Sequence, residues 1–442
     1  MGSDVTERGM VASLPSGMPL PHILRALRHR NYRLFFTGQG VSLAGTWITR
    51  IATSWLVYRL TGSVLLLGLV GFAGQIPTLV LAPVAGVFVD RWDRRRVLVI
   101  TQALSMLQSA MLAALTLAGM ITVTEILALQ AMQGMINAFD TPARQAFVVA
   151  MIEDRADLPN AIALNSSLVN GSRVIGPSIG GILIALVGEG WCFAVDAVSY
   201  LAVIGTLVAM RLPAAARARA ASRVLTELAA GYRYVTRFVP VRTLLILLAL
   251  VSTLGMPYTV LMPAIAAGTL GGGPGTLGSL MTAVGVGALG GAAYLASRPS
   301  VLGLGRVIVL AAVTFGGGLI AFGMSHSLAV SLAILPFVGA GFMVTLASIN
   351  TILQTVVEEE LRGRVMAFHT MAFFGTAPLG SLLAGVIADA IGPAGTVVLG
   401  GAGVVIAAGW FSLRLPGIRR LLRPIYAERG IIGPPRDPAT AL

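Results

Sequence analysis

The sequence predicts an all-α membrane protein with twelve transmembrane helices in two six-helix bundles. Three observations carry this: an apolar composition, a succession of long apolar runs, and the placement of arginine. Of the 442 residues, 56% are hydrophobic and 11% charged, and the mean hydropathy is +0.85, so the polar surface of a large soluble protein is missing. A spanning helix needs about 20 apolar residues, because the hydrocarbon layer is roughly 30 Å thick and every backbone polar group must be paired within the chain. Twelve runs qualify: 34 to 58, 64 to 89, 97 to 119, 122 to 143, 160 to 187, 190 to 210, 241 to 267, 275 to 297, 303 to 323, 327 to 352, 363 to 388 and 394 to 413.

All 31 basic residues are arginine, and 28 of them fall in the tails and in alternate loops. The remaining loops hold only Arg59, while Arg50 and Arg173 lie within spans. Arginine excess marks cytoplasmic loops, so both termini are expected in the cytoplasm. The net charge of +13 thus reports topology, since a nucleic-acid binder would gather its arginines on one soluble domain.

Taken in order, residues 1–33 form a basic cytoplasmic N-terminal tail. The first apolar run is too long for a signal-peptide core and is expected to be retained as a helix. Met1-Gly2-Ser3-Asp4-Val5-Thr6 fits a loose myristoylation pattern, discounted because a chain with twelve spans needs no lipid anchor. The N-terminal bundle covers 34–210 and the C-terminal bundle 241–413, with a cytoplasmic tail at 414–442. Between them, the hydrophilic stretch 211–240 carries Arg217, Arg219, Arg223, Arg233 and Arg237 and divides the helices six and six. Within it, Leu225, Leu228, Ala229, Tyr232 and Val235 recur at helical spacing, which suggests an amphipathic helix on the membrane surface.

Glycine accounts for 53 residues and falls inside the apolar runs, as with Gly285, Gly287, Gly290 and Gly291. Small residues let backbones approach where lipid removes the hydrophobic drive between helices. The single cysteine, Cys192, excludes an internal disulfide. A faint repeat relates Gly176-Pro177-Ser178-Ile179-Gly180 to Gly375-Thr376-Ala377-Pro378-Leu379-Gly380. Two parallel bundles about an axis along the membrane normal would produce such an offset, with the transport path at their interface.

Three groups of residues carry chemistry. The hinge from Gly86 to Arg96 places Gly86, Asp90, Arg91, Arg94 and Arg95 between two apolar runs. Gly86 permits tight packing, Asp90 can accept from helix N-terminal amides, and the arginines can pair with carboxylates of adjacent helices. Such a cluster can latch one conformation. In the fifth span, Gly176, Pro177, Gly180 and Gly181 make a bendable, closely packed helix. Finally, polar residues follow single helix faces: Gln39, Ser42, Thr46, Arg50 and Thr53 in the first span, Gln130, Gln133, Asn137 and Asp140 in the fourth, and Ser166, Asn170, Arg173 and Pro177 in the fifth. Intramembrane polar groups usually face a cavity, so Gln39, Thr46, Arg50, Gln133, Asn137, Asn170 and Arg173 are the candidate substrate-cavity residues. Interhelical hydrogen bonding is the competing role for the uncharged ones.

The hinge is similar to the loop between the second and third helices of the major facilitator superfamily. From Leu27 to Leu415 the chain resembles the enterobactin-exporter-like, drug-efflux branch of that superfamily. The residues carrying this are Leu27-Arg28-His29-Arg30-Asn31-Tyr32-Arg33, Gly45-Thr46-Trp47, Leu60-Thr61-Gly62-Ser63, Asp140-Thr141-Pro142-Ala143-Arg144 and Asn160-Ala161-Ile162-Ala163-Leu164-Asn165. The resemblance implies the major facilitator fold, a bacterial cytoplasmic-membrane location, and export of a small organic compound driven by the proton gradient. It would give Asp90 and Arg94 the role of stabilising an outward-facing state. The fifth span is similar to the superfamily's export-associated pattern, except that Ser172 stands where a glycine is expected.

Many antiporters of the superfamily carry an acid in the first helix, whereas this chain has Arg50 and no carboxylate there. Asp140, Asp196 and His369 are therefore the candidates for proton coupling. Asp140 comes first, with a structural bridge to Arg144 or the hinge arginines as its competing role. The two cavity arginines suit an anionic or strongly polar compound such as a siderophore; apolar and aromatic walls with Trp47, Trp55 and Phe72 suit an amphipathic antibiotic. A receptor would need a sensing domain, and an intramembrane enzyme a nucleophile, a metal constellation or a phosphate-binding loop. The four histidines are scattered and no such motif is present, so no metal and no cofactor are expected. An importer or facilitator remains the alternative within transporters. The expected partners are a small-molecule substrate, protons and membrane lipid, with no nucleic acid, and the expected state is a monomer.

Overall fold

The computed structural model describes residues 22–152, 154–210, 224–298 and 300–431, and the side chains of Asp90 and Asn170 lie outside that description. Helix follows helix throughout, as a chain in hydrocarbon requires. A 3-10 turn, His22–Arg28, leads into α1 (Arg30–Thr61), α2 (Val64–Arg91), α3 (Arg94–Leu117), α4 (Val123–Ala150), α5 (Leu158–Val187) and α6 (Glu189–Ala209). The connections are tight: Gly62 closes α1 with φ 62° and donates its amide to the Tyr58 carbonyl, and Ser63 then caps α2.

After 211–223, which lie outside the described residues, α7 (Val224–Arg237) occupies the expected amphipathic segment of the linker. The seventh span is not one regular helix. It runs as α8 (Val239–Leu250), a π turn (Val251–Gly255), α9 (Tyr258–Ala264) and a second π turn (Ile265–Thr269). Pro257 and Pro263 each remove an amide donor, which frees a carbonyl and widens the helix locally. Then come α10 (Pro274–Ala296), α11 (Leu304–Gly323), α12 (Leu328–Val356), α13 (Glu359–Phe374) and α14 (Ala377–Glu428).

The long α14 is interrupted at Gly392, whose φ of 81° is not helical. Residues on either side of the break return to one place: a Cβ on Gly380 would lie 2.6 Å from the Thr253 carbonyl oxygen, and one on Gly400 2.4 Å from that of Leu254. The chain therefore doubles back at Gly392. Among the described residues nine stretches are long and apolar enough to cross a membrane, and one of them, Glu359–Glu428, contains this reversal. The helices α1 and α4 are of spanning length but carry the polar stripes. The architecture is consistent with twelve crossings.

In the first half α1 packs on α5 and α6, α2 on α4, and α3 on α4 and α6; in the second, α10 packs on α12, and α11 on α12 and α14. The halves meet where α5 crosses α10 and α2 crosses α14. Both crossings are backbone against backbone. A Cβ on Gly181 would stand 2.9 Å from the Gly278 Cα, and one on Gly68 2.9 Å from the Gly385 Cα. The Ser178 and Thr282 hydroxyls add a 2.6 Å hydrogen bond between α5 and α10.

Both glycine crossings lie toward the ends joined by the arginine-poor turns. Toward the arginine-bearing ends the helices stand clear. Gly86 is five turns along the same face of α2 as Gly68, and Gly171 is two turns before Ser178 on α5; a Cβ on either would meet nothing within 4 Å. The halves touch at one end, and at the other the glycines on the same helix faces meet no neighbour. Overpacking a tight contact typically costs about 1–3 kcal/mol, so Gly181→Leu and Gly278→Leu should each shift the closed-to-open ratio at that end by about tenfold. Distances between spin labels on the 118–122 and 323–327 turns should lengthen in both variants, and unchanged distances would contradict the glycine seal.

Candidate functional site

Two faces of α1 between Gly45 and Arg50 organise the site, because α1 is packed between α5 and α6. On the α5 side, Gly176 is the seat of Trp47: a Cβ there would fall 2.4 Å from the Trp47 Cβ. Gly180 receives Ile48 in the same way, at 3.3 Å from its Cα. The α5 helix runs unbroken through Pro177, so the glycines of the expected bending motif serve close approach in this state.

This seat holds the indole where two arginines converge on it. The Arg50 guanidinium carbon lies 4.8 Å from the Trp47 ring centroid and that of Arg173 5.7 Å from it, both within cation–π range. Neither arginine has a carboxylate within ion-pair distance among the described residues, and the Nε of Arg173 is buried without a hydrogen-bond partner. Two guanidinium groups over one ring carry like charges that repel, and α1 also packs against α9, which carries Tyr258, in the other half. Arg50 and Thr46 are exposed. A void of about 60 Å³ behind Tyr258, lined by Thr253, Gly380 and Thr396, holds water at most.

On the α6 side of α1 sits Asp196, 1% exposed. Its Oδ2 accepts from the Thr49 hydroxyl at 2.9 Å and the Ser109 hydroxyl at 2.7 Å. Its Oδ1 is buried without a partner, and a Cβ on Gly45 would come 2.6 Å from it. No cation pairs with Asp196 among the described residues.

The other expected site residues divide. Gln39 is 3% exposed and packs inside the bundle; it does not line the opening as the stripe suggested, because periodicity identifies a face but not what covers it. Gln133 donates to the Ser105 hydroxyl and to Asn137 Oδ1, at 3.2 and 3.1 Å, so these two amides form a network between α3 and α4 apart from the arginines. Asn170 lies outside the described side chains. Asp140 accepts from Thr101 and Gln102 and pairs with Arg144 at 2.8 Å, which is the structural role the sequence offered against proton transfer. His369 is partly buried on α13 with an unpartnered Nε2.

In the hinge, Asp93 caps α3, accepting from the amides of Arg95 and Arg96 at 2.9 and 3.2 Å. Arg95 donates to the Val208 carbonyl at 2.7 Å and Arg30 to that of Ala209 at 3.3 Å, which satisfies the C-terminal carbonyls of α6. Arg91 is exposed. The Asp90 side chain is outside the described residues.

Sequence reasoning missed Asp157. This fully buried carboxylate gathers Arg25, Arg28 at 2.7 Å and His29 at 2.9 Å, fastening the 3-10 turn to the loop before α5. Arg25 also donates to the Ala156 carbonyl, Tyr32 to that of Ala161, and the Ala26 amide to Asn160. The available signal was Arg25, Arg28 and His29 on one helical face. At the opposite end of the bundle Arg59 grips Glu189 through two contacts, 2.7 and 3.2 Å.

Two halves sealed by glycine crossings, with a charged and aromatic site between them, define a membrane transporter of the major facilitator fold. Residues 23–421 match the family of transmembrane secretion effectors, and the chain belongs to that family. It is a transporter and not an enzyme. The chain is 26% identical to the staphyloferrin A transporter of Staphylococcus aureus over 361 residues, covering 81% of this chain and 90% of that protein. It is 30% identical to the multidrug efflux pump Tap of Mycolicibacterium fortuitum, covering 79% and 87%. Among solved structures, a bacterial homolog of the human lysosomal transporter Spinster, in an inward-facing and unoccupied conformation, superposes with a TM-score of 0.69 at 14% identity, covering 89% of this chain and 98% of that one.

Burial alone would raise the Asp157 pKa, but the His29 hydrogen bond and the charges of Arg25 and Arg28 outweigh it and hold the carboxyl below its ordinary range. A depressed carboxylate stabilises the fold above its unfolded pKa, about 3.9, and that contribution is lost as pH falls through the depressed value. Asp157→Asn should therefore lower the melting temperature in detergent at neutral pH, and the gap to the parent should close below about pH 4. A gap independent of pH would show that the carboxylate charge is not what fastens the turn.

Proposed function

We propose that this protein exports a small organic compound, of the siderophore or antibiotic kind, across the bacterial cytoplasmic membrane by proton-driven alternating access. The observation that carries this reading is the pair of halves sealed at one end by Gly68–Gly385 and Gly181–Gly278 and clear at the other, with the Arg50, Trp47 and Arg173 cluster between. The arginine excess supports placing the open end, and both termini, in the cytoplasm. The described arrangement is then the state that loads substrate from inside. Rocking of residues 34–210 against 241–413 would part the glycine crossings and close the arginine-bearing ends, where the hinge residues Asp90, Arg91, Arg94 and Arg95 latch the outward-facing state. The names of the relatives, a siderophore transporter and a multidrug pump, support this direction and kind of cargo.

Asp196 is the proton carrier in this reading. Its free Oδ1 can hold the proton, since an isolated buried charge is expensive. Thr49, which donates to its Oδ2, neighbours Arg50 on α1, so a change in the carboxyl is transmitted to the helix that carries the substrate site.

Purified protein in proteoliposomes, tested against a panel of siderophores and antibiotics with and without an imposed pH gradient, should show gradient-driven flux of at least one compound. Asp196→Asn should lose the gradient dependence while retaining exchange down a substrate gradient. Asp140→Asn should lower stability without uncoupling. No flux of any compound from folded protein would sink the export reading, and full coupling in Asp196→Asn would remove Asp196 from it.

A further inference from the structure

We infer that Arg50, Trp47 and Arg173 form a binding subsite for an organic oxyanion, a carboxylate being the simplest, carried on a substrate with a flat unsaturated portion. The inference rests on the transport reading above and names the class of compound its site accepts.

Other arginines in the chain show how a guanidinium is normally satisfied. Arg25, Arg30, Arg95, Arg298 and Arg429 each donate to a backbone carbonyl, and Arg28, Arg59 and Arg144 each pair with a carboxylate. Arg50 and Arg173 have neither kind of partner among the described residues. They share a single indole, at 4.8 and 5.7 Å, and stand close enough to repel. Two like charges held together inside a membrane protein, with one aromatic ring between them, favour a negatively charged ligand.

The geometry is built rather than incidental. Gly176 admits Trp47, and the Nε of Arg173 is buried without a partner. Arg50 is exposed, which leaves it accessible to a ligand. Tyr258, 4% exposed on the other half, sits between the two π turns of the seventh span on α9, which packs against α1. An oxyanion held by Arg50 would therefore lie on a helix that touches the opposite bundle. Arginine suits this task because its planar fork pairs with two carboxylate oxygens at once.

The same chemistry would suit an anionic lipid headgroup, and the test separates the two. Binding of phthalate, an aromatic dicarboxylate, is measured by calorimetry on the purified full chain in nonionic detergent, then in nanodiscs with and without phosphatidylglycerol. Tetraphenylphosphonium serves as the cationic control. Phthalate should bind in all three settings, and Arg50→Gln and Arg173→Gln should each weaken it about tenfold or more. Arg50→Lys and Arg173→Lys should retain part of the affinity, and Trp47→Phe should remove the ligand-dependent change in tryptophan fluorescence. Tetraphenylphosphonium binding should not fall in the glutamine variants.

Absence of phthalate binding, or equal affinity in the glutamine variants, overturns the inference. Loss of phthalate binding only when phosphatidylglycerol is present reassigns the pair to a lipid and overturns it as a substrate site. If both glutamine variants export a panel compound at the parental rate, the subsite is not on the substrate path, while the exporter reading survives.

Discussion

Contact between backbones is the constraint on which the rest of this structure depends. In lipid, two helices gain nothing by hiding apolar side chains from each other, so they hold together only where their surfaces fit closely. Here the fit is at its closest where glycine meets glycine, Gly181 against Gly278 and Gly68 against Gly385, with separations that leave no room for a methyl group. The two contacts join α5 to α10 and α2 to α14, one on each side of the molecule. Together they set which end of the transporter is shut and how deep the opening from the other end can reach.

The same device, used within the first half, shapes the site. Gly176 on α5 and Gly45 on α1 are both sites of near collision, the first with Trp47 and the second with the Asp196 carboxylate. One short stretch of α1 thereby serves two tasks on two faces. Trp47 is seated against α5 and Thr46 and Arg50 are exposed, while Gly45 and Thr49 hold an acid of α6. In the proposed reading, the proton carrier and the ligand contact would be separated by the width of one helix.

What the sequence revealed was what is periodic within a helix, and what it concealed was what depends on a neighbour. The two arginines stood out because a charged residue within an apolar run is conspicuous, and both stand over the Trp47 ring. Trp47 was visible only as wall, since its position over the arginines is set by Gly176 on another helix. Asp196 was noted as an acid, but its encirclement by Thr49 and Ser109 joins three helices and leaves no linear trace. Gln39 was misplaced for the same reason. The seventh span read as one apolar run, although its two prolines divide it, because hydropathy is blind to backbone donors. The fastening of His22–Arg28 to Asp157 joins segments more than a hundred residues apart.

Every ion pair among the described residues falls in the first half: the Asp157 cluster with the neighbouring Arg28–Asp154 pair, Asp93 with Arg96 and the Asp140–Arg144 bridge toward one end, Arg59 with Glu189 at the other. The second half has none among those residues and instead contains the two π turns and the break at Gly392. The two bundles are alike in outline but unlike in bracing: the first is tied at both rims by charge, while the second carries the irregular helices. The symmetry of the architecture thus does not extend to the interactions that hold each half.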